Sequence, residues 1–300
     1  MSDVPRWLSQ IMQEERLPSS FVGNAMGYYV PLAKKIQQWQ REKGGVLVVG
    51  VNGAQGTGKS TMSKVLATAL QEECGCCCAV ISIDDIYQTK AVRAELAQQI
   101  HPLLATRGVP GTHDTTLGMQ VIQDLMAGKL VPVPSFDKAS DDRRPESEWT
   151  VPSEAVDVIL FEGWCIGAVA EPPEALPKAI NVLEEKEDAD GAWRGFVNER
   201  LQSEYVDLFA LLDRLVMIKA PDFECVHHWR GEQEDKLRAS KASEVGADLS
   251  GLMSVEQLER FIMHYERLTR WMFDEMPGRA DVLFELSAEH IIESGTGLSS

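Results

Sequence analysis

Apolar positions recur every three to four residues in two early stretches, Val4–Gln13 and Pro31–Glu42, where Leu32, Ile36 and Trp39 share a face. That spacing predicts helices. Gly44-Gly45 breaks the pattern. Val46–Val51 follows as V-L-V-V-G-V, nearly all apolar and rich in valine. A short run of this kind marks a strand buried on both faces of a parallel sheet. After a glycine-rich turn, helical periodicity returns over Lys59–Glu73 through Met62, Val65, Leu66, Ala69 and Leu70. Three more apolar runs predict strands: Ala79–Ile83, ending in Asp84-Asp85; Val156–Phe161, ending in Glu162-Gly163; and Leu215–Lys219. Val226–Arg238 reads as a charged helix after the last of these.

Strands alternating with helices predict an α/β fold, a doubly wound, mostly parallel sheet flanked by helices. The 300 residues are expected to form a single domain, 1–300, with a helical extension at 1–43 and a lid segment at about 226–240. Acidic groups close two of the strands at their C-terminal ends, the edge where such sheets bind ligands. The charge run Glu184–Asp190 (E-E-K-E-D-A-D) is expected as a solvated loop or helix end, and Ser294–Ser300 as a frayed tail.

Charge narrows the partners. Acidic residues number 46 and basic residues 29, for a formal net charge of −17. Such a surface repels nucleic-acid phosphates and anionic membranes, so neither is an expected partner, and an anion site must build its own positive pocket. No apolar run approaches the roughly 18 residues of a membrane span. Met1–Gln10 is polar and lacks a signal-peptide core, so a cytoplasmic location is expected. Four of the six cysteines crowd into Cys74–Cys78, without a second Cys/His pair at ligand spacing. Reduced thiols are the expectation. The sequence specifies no oligomeric state.

The strongest chemical signal is Gly53-Ala54-Gln55-Gly56-Thr57-Gly58-Lys59-Ser60, followed by Thr61. It satisfies the phosphate-loop pattern G-x-x-x-x-G-K-[ST] at every fixed position. Glycines let the backbone close around phosphate, and the following helix turns its positive end to the anion. Lys59 places a charge on the β- and γ-phosphates of ATP, and the Ser60 hydroxyl takes one Mg2+ position.

The acidic strand ends supply the partners of that loop. Asp84, in Ser82-Ile83-Asp84-Asp85-Ile86-Tyr87, is the candidate base for an acceptor hydroxyl. Asp85 is expected to hold substrate or a magnesium-bound water. Glu162 is the candidate metal-side carboxylate.

These elements, with Arg107-Gly108-Val109-Pro110-Gly111-Thr112-His113-Asp114, Pro134-Ser135-Phe136-Asp137-Lys138, Asp142-Arg143 and Phe161-Glu162-Gly163-Trp164-Cys165, together resemble the P-loop D-glycerate 3-kinases. That family belongs with the uridine kinase, pantothenate kinase and phosphoribulokinase group. Trp229-Arg230-Gly231-Glu232-Gln233-Glu234 looks like its W-R-x-x-x-E element, and Met253–Tyr265 resembles its final helix. The resemblance spans about residues 45–295. It departs in the short Asp137–Arg143 segment, with Ala139 after Lys138 and Phe136 where a tyrosine is usual. It implies ATP-dependent phosphorylation of a glycerate hydroxyl, with the uridine-kinase-like base falling on Asp84 and the R-G-x-P-G-T-H-D string lining the acceptor side.

A hydroxy-acid acceptor needs positive partners for its carboxylate. Arg107, His113, Lys138 and Arg143 cluster in the motif segments between the second and third strands, and a guanidinium fork makes Arg107 or Arg143 the stronger anchor. Tyr87, Asp85 and Asp114 are the other expected substrate-side residues. Arg230, eight residues before Arg238 on nearly the same helix face, is expected to stabilise charge on the transferring phosphoryl group. The reading is thus a small-molecule kinase, with D-glycerate as the expected acceptor. A nucleoside, a pantothenate-like acid or a sugar phosphate is the alternative within enzymes. A nucleotide-dependent switch or metal-delivery ATPase is the alternative outside them.

Overall fold

The computed structural model describes residues 4–242 and 253–298. Along the chain run α1 (Arg6–Glu14), α2 (Phe21–Asn24) continuing through a π-helical turn into α3 (Val30–Lys43), β1 (Leu47–Gly53), α4 (Lys59–Cys74), β2 (Cys78–Ser82), α5 (Lys90–Gln99), α6 (Thr115–Met126), β3 (Phe136–Asp137), β4 (Asp142–Arg143), β5 (Val158–Gly163), α7 (Val182–Glu187), α8 (Ala192–Gln202), α9 (Glu204–Phe209), β6 (Arg214–Lys219), α10 (Phe223–Ala242), α11 (Val255–Glu275), β7 (Val282–Leu286) and β8 (Ile292–Thr296).

The main sheet has the order β2-β5-β1-β6-β7-β8. The first five strands are parallel and β8 is antiparallel. β1 and β5 are buried at every position, which explains their unbroken apolar runs. Alternate residues feed opposite layers. Leu47, Val49 and Val51 of β1, with Val158 and Leu160 of β5 and Val216 and Ile218 of β6, pack with α3 and α4. Val48, Ile159, Phe161, Leu215 and Met217 pack with α6, α9 and α11. This period-two division makes the sheet doubly covered. The register sets Ser82 beside Glu162 and Glu162 beside Val51, so the ends of β2, β5 and β1 meet at one edge. Among the described residues, no helix is long and apolar enough to cross a membrane.

Three expectations need correction. Besides the two-residue β3 and β4, two strands of the main sheet went unread: β7 alternates between buried and more exposed positions, and β8 is mostly polar and exposed. Ser294–Thr296 is accordingly a paired edge strand rather than a frayed tail; Ser294 Oγ donates to Glu285 at 2.7 Å. The charge run Glu184–Asp190 is an exposed helix end at five of its seven residues, but not at the other two. Asn181 caps α7, and Glu184 and Asp188 are buried. Arg267 donates from Nε and Nη2 to Glu184 at 2.7 Å each, and Arg194 pairs with Asp188 at 2.8 Å. The cations that neutralise the run come from other elements, so local charge density misleads. Residues 226–240 lie within α10, but the side chain of Arg238 falls outside the described residues.

Candidate active site

The phosphate loop joins β1 to α4. Gly58 caps the helix in the left-handed region, φ +83°, and no side chain caps it. The first-turn amides therefore present an uncapped positive helix end to an anion. Gly56 has φ +84°, and a Cβ there would stand 2.6 Å from the Cβ of Trp229 on α10. Only glycine fits both the backbone and the space. Inside the loop, the buried Thr57 donates through Oγ1 to Ala54 O at 2.8 Å.

Across the loop stands β5. Ser60 Oγ donates to Glu162 Oε1 at 3.0 Å. The other oxygen, Oε2, is buried without a hydrogen-bond partner among the described residues. A bare carboxylate oxygen beside a hydroxyl on a phosphate loop is a donor set that suits a hard divalent cation.

The end of β2 curls into a 3₁₀ turn, Ile83–Ile86, where the Ser82 hydroxyl accepts from Asp84 N. Both Asp84 oxygens are engaged. Tyr87 OH donates to Oδ1 at 2.6 Å and Lys138 Nζ to Oδ2 at 2.7 Å. Burial pushes the Asp84 carboxyl up, but the charges of Lys138 and Lys59 and these two hydrogen bonds outweigh it and hold the pKa at about 2. Asp84 is thus ionised at neutral pH. Asp85 goes the other way, to about 6, through burial and the neighbouring Asp84 charge.

A cavity of about 500 Å³ joins these groups. Gln55, Gly56, Lys59 and Ser60 form one wall, and Ser82, Asp84, Tyr87 and Glu162 another. Arg107, Lys138 of the β3–β4 hairpin and Arg230 of α10 also line it. Arg107 pairs with Asp141 and lies over the Phe136 ring. Arg230 pairs with the buried Glu234 at 3.1 Å and lies near the Phe261 ring. Glu234 also accepts from Met253 N at 2.9 Å, which ties α10 to the start of α11.

Four residues expected at the acceptor do not line this cavity. His113 is buried, stacks on Tyr87 at 4.9 Å and has Nδ1 2.5 Å from Tyr205 OH. Burial drives its pKa down to about 3, so it is neutral. Asp114 caps α6 by accepting from Leu117 N and takes Arg143 Nη2 at 3.1 Å. Arg143 also donates to Tyr87 O at 2.9 Å. Asp85 accepts from Phe136 N at 3.0 Å. These contacts brace Tyr87 and the β3–β4 hairpin from behind, while His113 Nε2 and Arg143 Nε are buried without a hydrogen-bond partner among the described residues. Gly53, Ala54, Thr57, Gly58 and Thr61 shape the phosphate loop and the first turn of α4.

The cavity also has walls that sequence reasoning passed over: Trp164, Phe261, Tyr265 and Gln233. Trp164 donates through Nε1 to Gly108 O at 2.8 Å, and Tyr265 OH to Arg107 O at 3.0 Å. Gly108, at φ +128°, leaves room for that ring; a Cβ would fall on the Tyr265 hydroxyl.

No family model matches this sequence. The chain is 30% identical over 244 residues to the uncharacterized kinase mug58 of Schizosaccharomyces pombe, covering 78% of this chain and 83% of that protein. It is also 30% identical over 233 residues to the chloroplastic D-glycerate 3-kinase of Arabidopsis thaliana, covering 73% of this chain but 46% of that protein. The solved D-glycerate 3-kinase from Cryptococcus neoformans matches with a TM-score of 0.68 at 26% identity, covering 84% of this chain and 89% of that one. This chain belongs to the P-loop D-glycerate 3-kinase-like family. It is a kinase with a P-loop nucleotide-binding fold, and the cavity where the phosphate loop meets Asp84 is its candidate active site.

Proposed function

We propose that this kinase uses ATP with Mg2+ to phosphorylate a hydroxyl of D-glycerate, giving 3-phosphoglycerate. The observation that carries the reading is one cavity walled by Lys59 and by the ionised Asp84, with Arg107 and Lys138 also lining it. The likeness to two D-glycerate 3-kinases supports the choice of acceptor.

In this reading the loop amides and Lys59 hold the β- and γ-phosphates. Ser60 and the unpartnered Oε2 of Glu162 would hold Mg2+, which neutralises charge on the phosphate oxygens. Asp84 accepts the proton of the acceptor hydroxyl as its oxygen bonds to phosphorus. The bond from phosphorus to the bridging oxygen breaks, and its electron pair leaves with ADP. Arg230, oriented by Glu234, balances charge on the transferring group. Arg107, fixed by Asp141, presents a guanidinium to the acid.

The test is a panel of D-glycerate, glycerol, uridine, pantothenate and a sugar phosphate, with products identified by phosphorus NMR. The reading expects an ATP-dependent phosphomonoester on the 3-hydroxyl of D-glycerate. Phosphorylation of uridine or pantothenate with D-glycerate untouched would replace it.

A further inference from the structure

Among the described residues, four cations face the cavity: Lys59, Arg107, Lys138 and Arg230. Lys59 belongs to the phosphates. Arg107 is bound to Asp141, and Arg230 to Glu234. Lys138 differs from the arginines, because its partner is Asp84 itself, 2.7 Å away. Its side chain is 63% exposed at the tip of the β3–β4 hairpin, so its tether is loose. The other Asp84 oxygen is already taken by Tyr87. Lys138 therefore occupies one face of the oxygen that an acceptor hydroxyl must reach.

We propose that Lys138 makes the kinase selective for anionic acceptors by exchange: the carboxylate of the incoming acid draws the ammonium off Asp84 and thereby uncovers Oδ2 for the acceptor hydroxyl. This rests on the hydroxy-acid reading above. A neutral alcohol offers Lys138 no competing charge, so the ion pair stays closed and the base stays covered. An acid supplies a carboxylate of the same chemistry as the one Lys138 leaves, so the exchange trades one charge-assisted hydrogen bond for another. The proton then passes from the acceptor hydroxyl to Asp84 as the new oxygen–phosphorus bond forms and ADP departs. The surrounding groups favour movement of Lys138 over movement of Asp84. Asp84 is fixed by Tyr87, which is stacked on His113 and held at its carbonyl by Arg143.

The exchange separates from simple anchoring in a comparison of D-glycerate with D-glyceramide, its uncharged analogue, on the wild type, Lys138→Met and Lys138→Arg. Because the side chain is exposed, the variants should fold. In Lys138→Met, KM for D-glycerate should stay within about threefold, because the bond lost to the acid is offset by the one no longer broken at Asp84, whereas simple anchoring would raise it roughly 10- to 100-fold. At the same time kcat for D-glyceramide should increase by roughly tenfold, because the base is uncovered without an acid. Lys138→Arg should recover most of the preference for the acid. Unchanged D-glyceramide turnover in Lys138→Met would reduce Lys138 to an anchor, and an equal fall with both acceptors would make it structural; either result overturns the exchange. Wild type that turns over no hydroxy acid at all would instead remove the acceptor reading on which this rests.

Discussion

His290 Nε2 lies 2.8 Å from the carbonyl oxygen of Gly56, and its ring packs on Trp229 at 4.0 Å between centroids. The turn between β7 and β8 thus supports the phosphate loop from the side opposite β5. Asn24 holds that turn from the N-terminal segment, donating to His290 O at 2.9 Å and accepting from Ile292 N at 3.1 Å. Trp229 Nε1 donates to Ala288 O of the same turn at 2.9 Å. His290→Ala should raise KM for ATP about fivefold, the value of one hydrogen bond of about 1 kcal/mol, and leave KM for the acceptor within about twofold. Steady-state kinetics with each substrate varied in turn checks this. Equal effects on both would place His290 in general stability instead.

Glu162 is placed to test the metal position without disturbing the loop. In Glu162→Gln the amide oxygen can still accept from Ser60, but the charge is gone. The apparent affinity for Mg2+ should fall roughly 10- to 100-fold, as for a lost carboxylate contact at a metal. A magnesium titration of ADP release reads it, and an unchanged midpoint would remove Glu162 from the metal.

The buried pair of Glu184 with Arg267 joins α7 to α11, with Glu171 as a third member at 3.3 Å. Breaking such a pair leaves a buried guanidinium short of charge. Glu184→Gln should cost about 3–5 kcal/mol in unfolding free energy. Denaturant titration at neutral pH measures it, and a loss below about 1 kcal/mol would mean the pair is solvated as a surface bridge is.

Stability should also depend on pH in a defined direction. Burial lowers His113 to about 3 and His264 to about 4, against an ordinary value of 6.5. Below 6.5 the unfolded chain takes up protons that the native one refuses, so both histidines lower stability as pH falls from 6.5 toward those values. Asp85, raised to about 6 from 3.8, acts oppositely. The native state takes its proton first, so stability gains as pH falls between 6 and 3.8. From pH 7 to pH 5 the two histidines thus make a falling contribution, against a rising one from Asp85 and from Glu171 and Glu204, whose carboxyls burial also pushes up. His113→Phe, which retains a ring against Tyr87, should flatten that fall by up to about one proton's worth of slope. Denaturation midpoints across this range give the slope; an unaltered slope in the variant would contradict the assignment to His113.

What could be read in the chain follows from how local each signal is. The phosphate loop, with β1 before it and α4 after it, is one continuous stretch, and the buried strands announce themselves because both faces are apolar. Asp84 and Glu162 were legible as acids closing such strands. β8 was not, because the sheet's edge strand carries polar residues like those of a loop; β7, V-L-F-E-L, carries a readable apolar run all the same. His113, Asp114 and Arg143 sit in the same motifs as Arg107 and Lys138, and sequence has no means of telling the front of a wall from its back. Tyr265 and His290 reach the site from α11 and the last hairpin, 158 residues beyond Arg107 and 234 beyond Gly56; the resemblance marks the segment ending at Tyr265 but gives the residue no role, and no local pattern marks His290.

The central claim is that Asp84 takes the proton of an acceptor alcohol beside the phosphate loop. The direct measurement is ADP release with and without D-glycerate for the wild type and Asp84→Asn, which retains an oxygen for Tyr87. The account predicts strong stimulation by D-glycerate in the wild type and a loss of roughly 10²-fold or more in the variant, the usual worth of a general base. Release that ignores the acceptor, or an asparagine variant that matches the wild type, would contradict it.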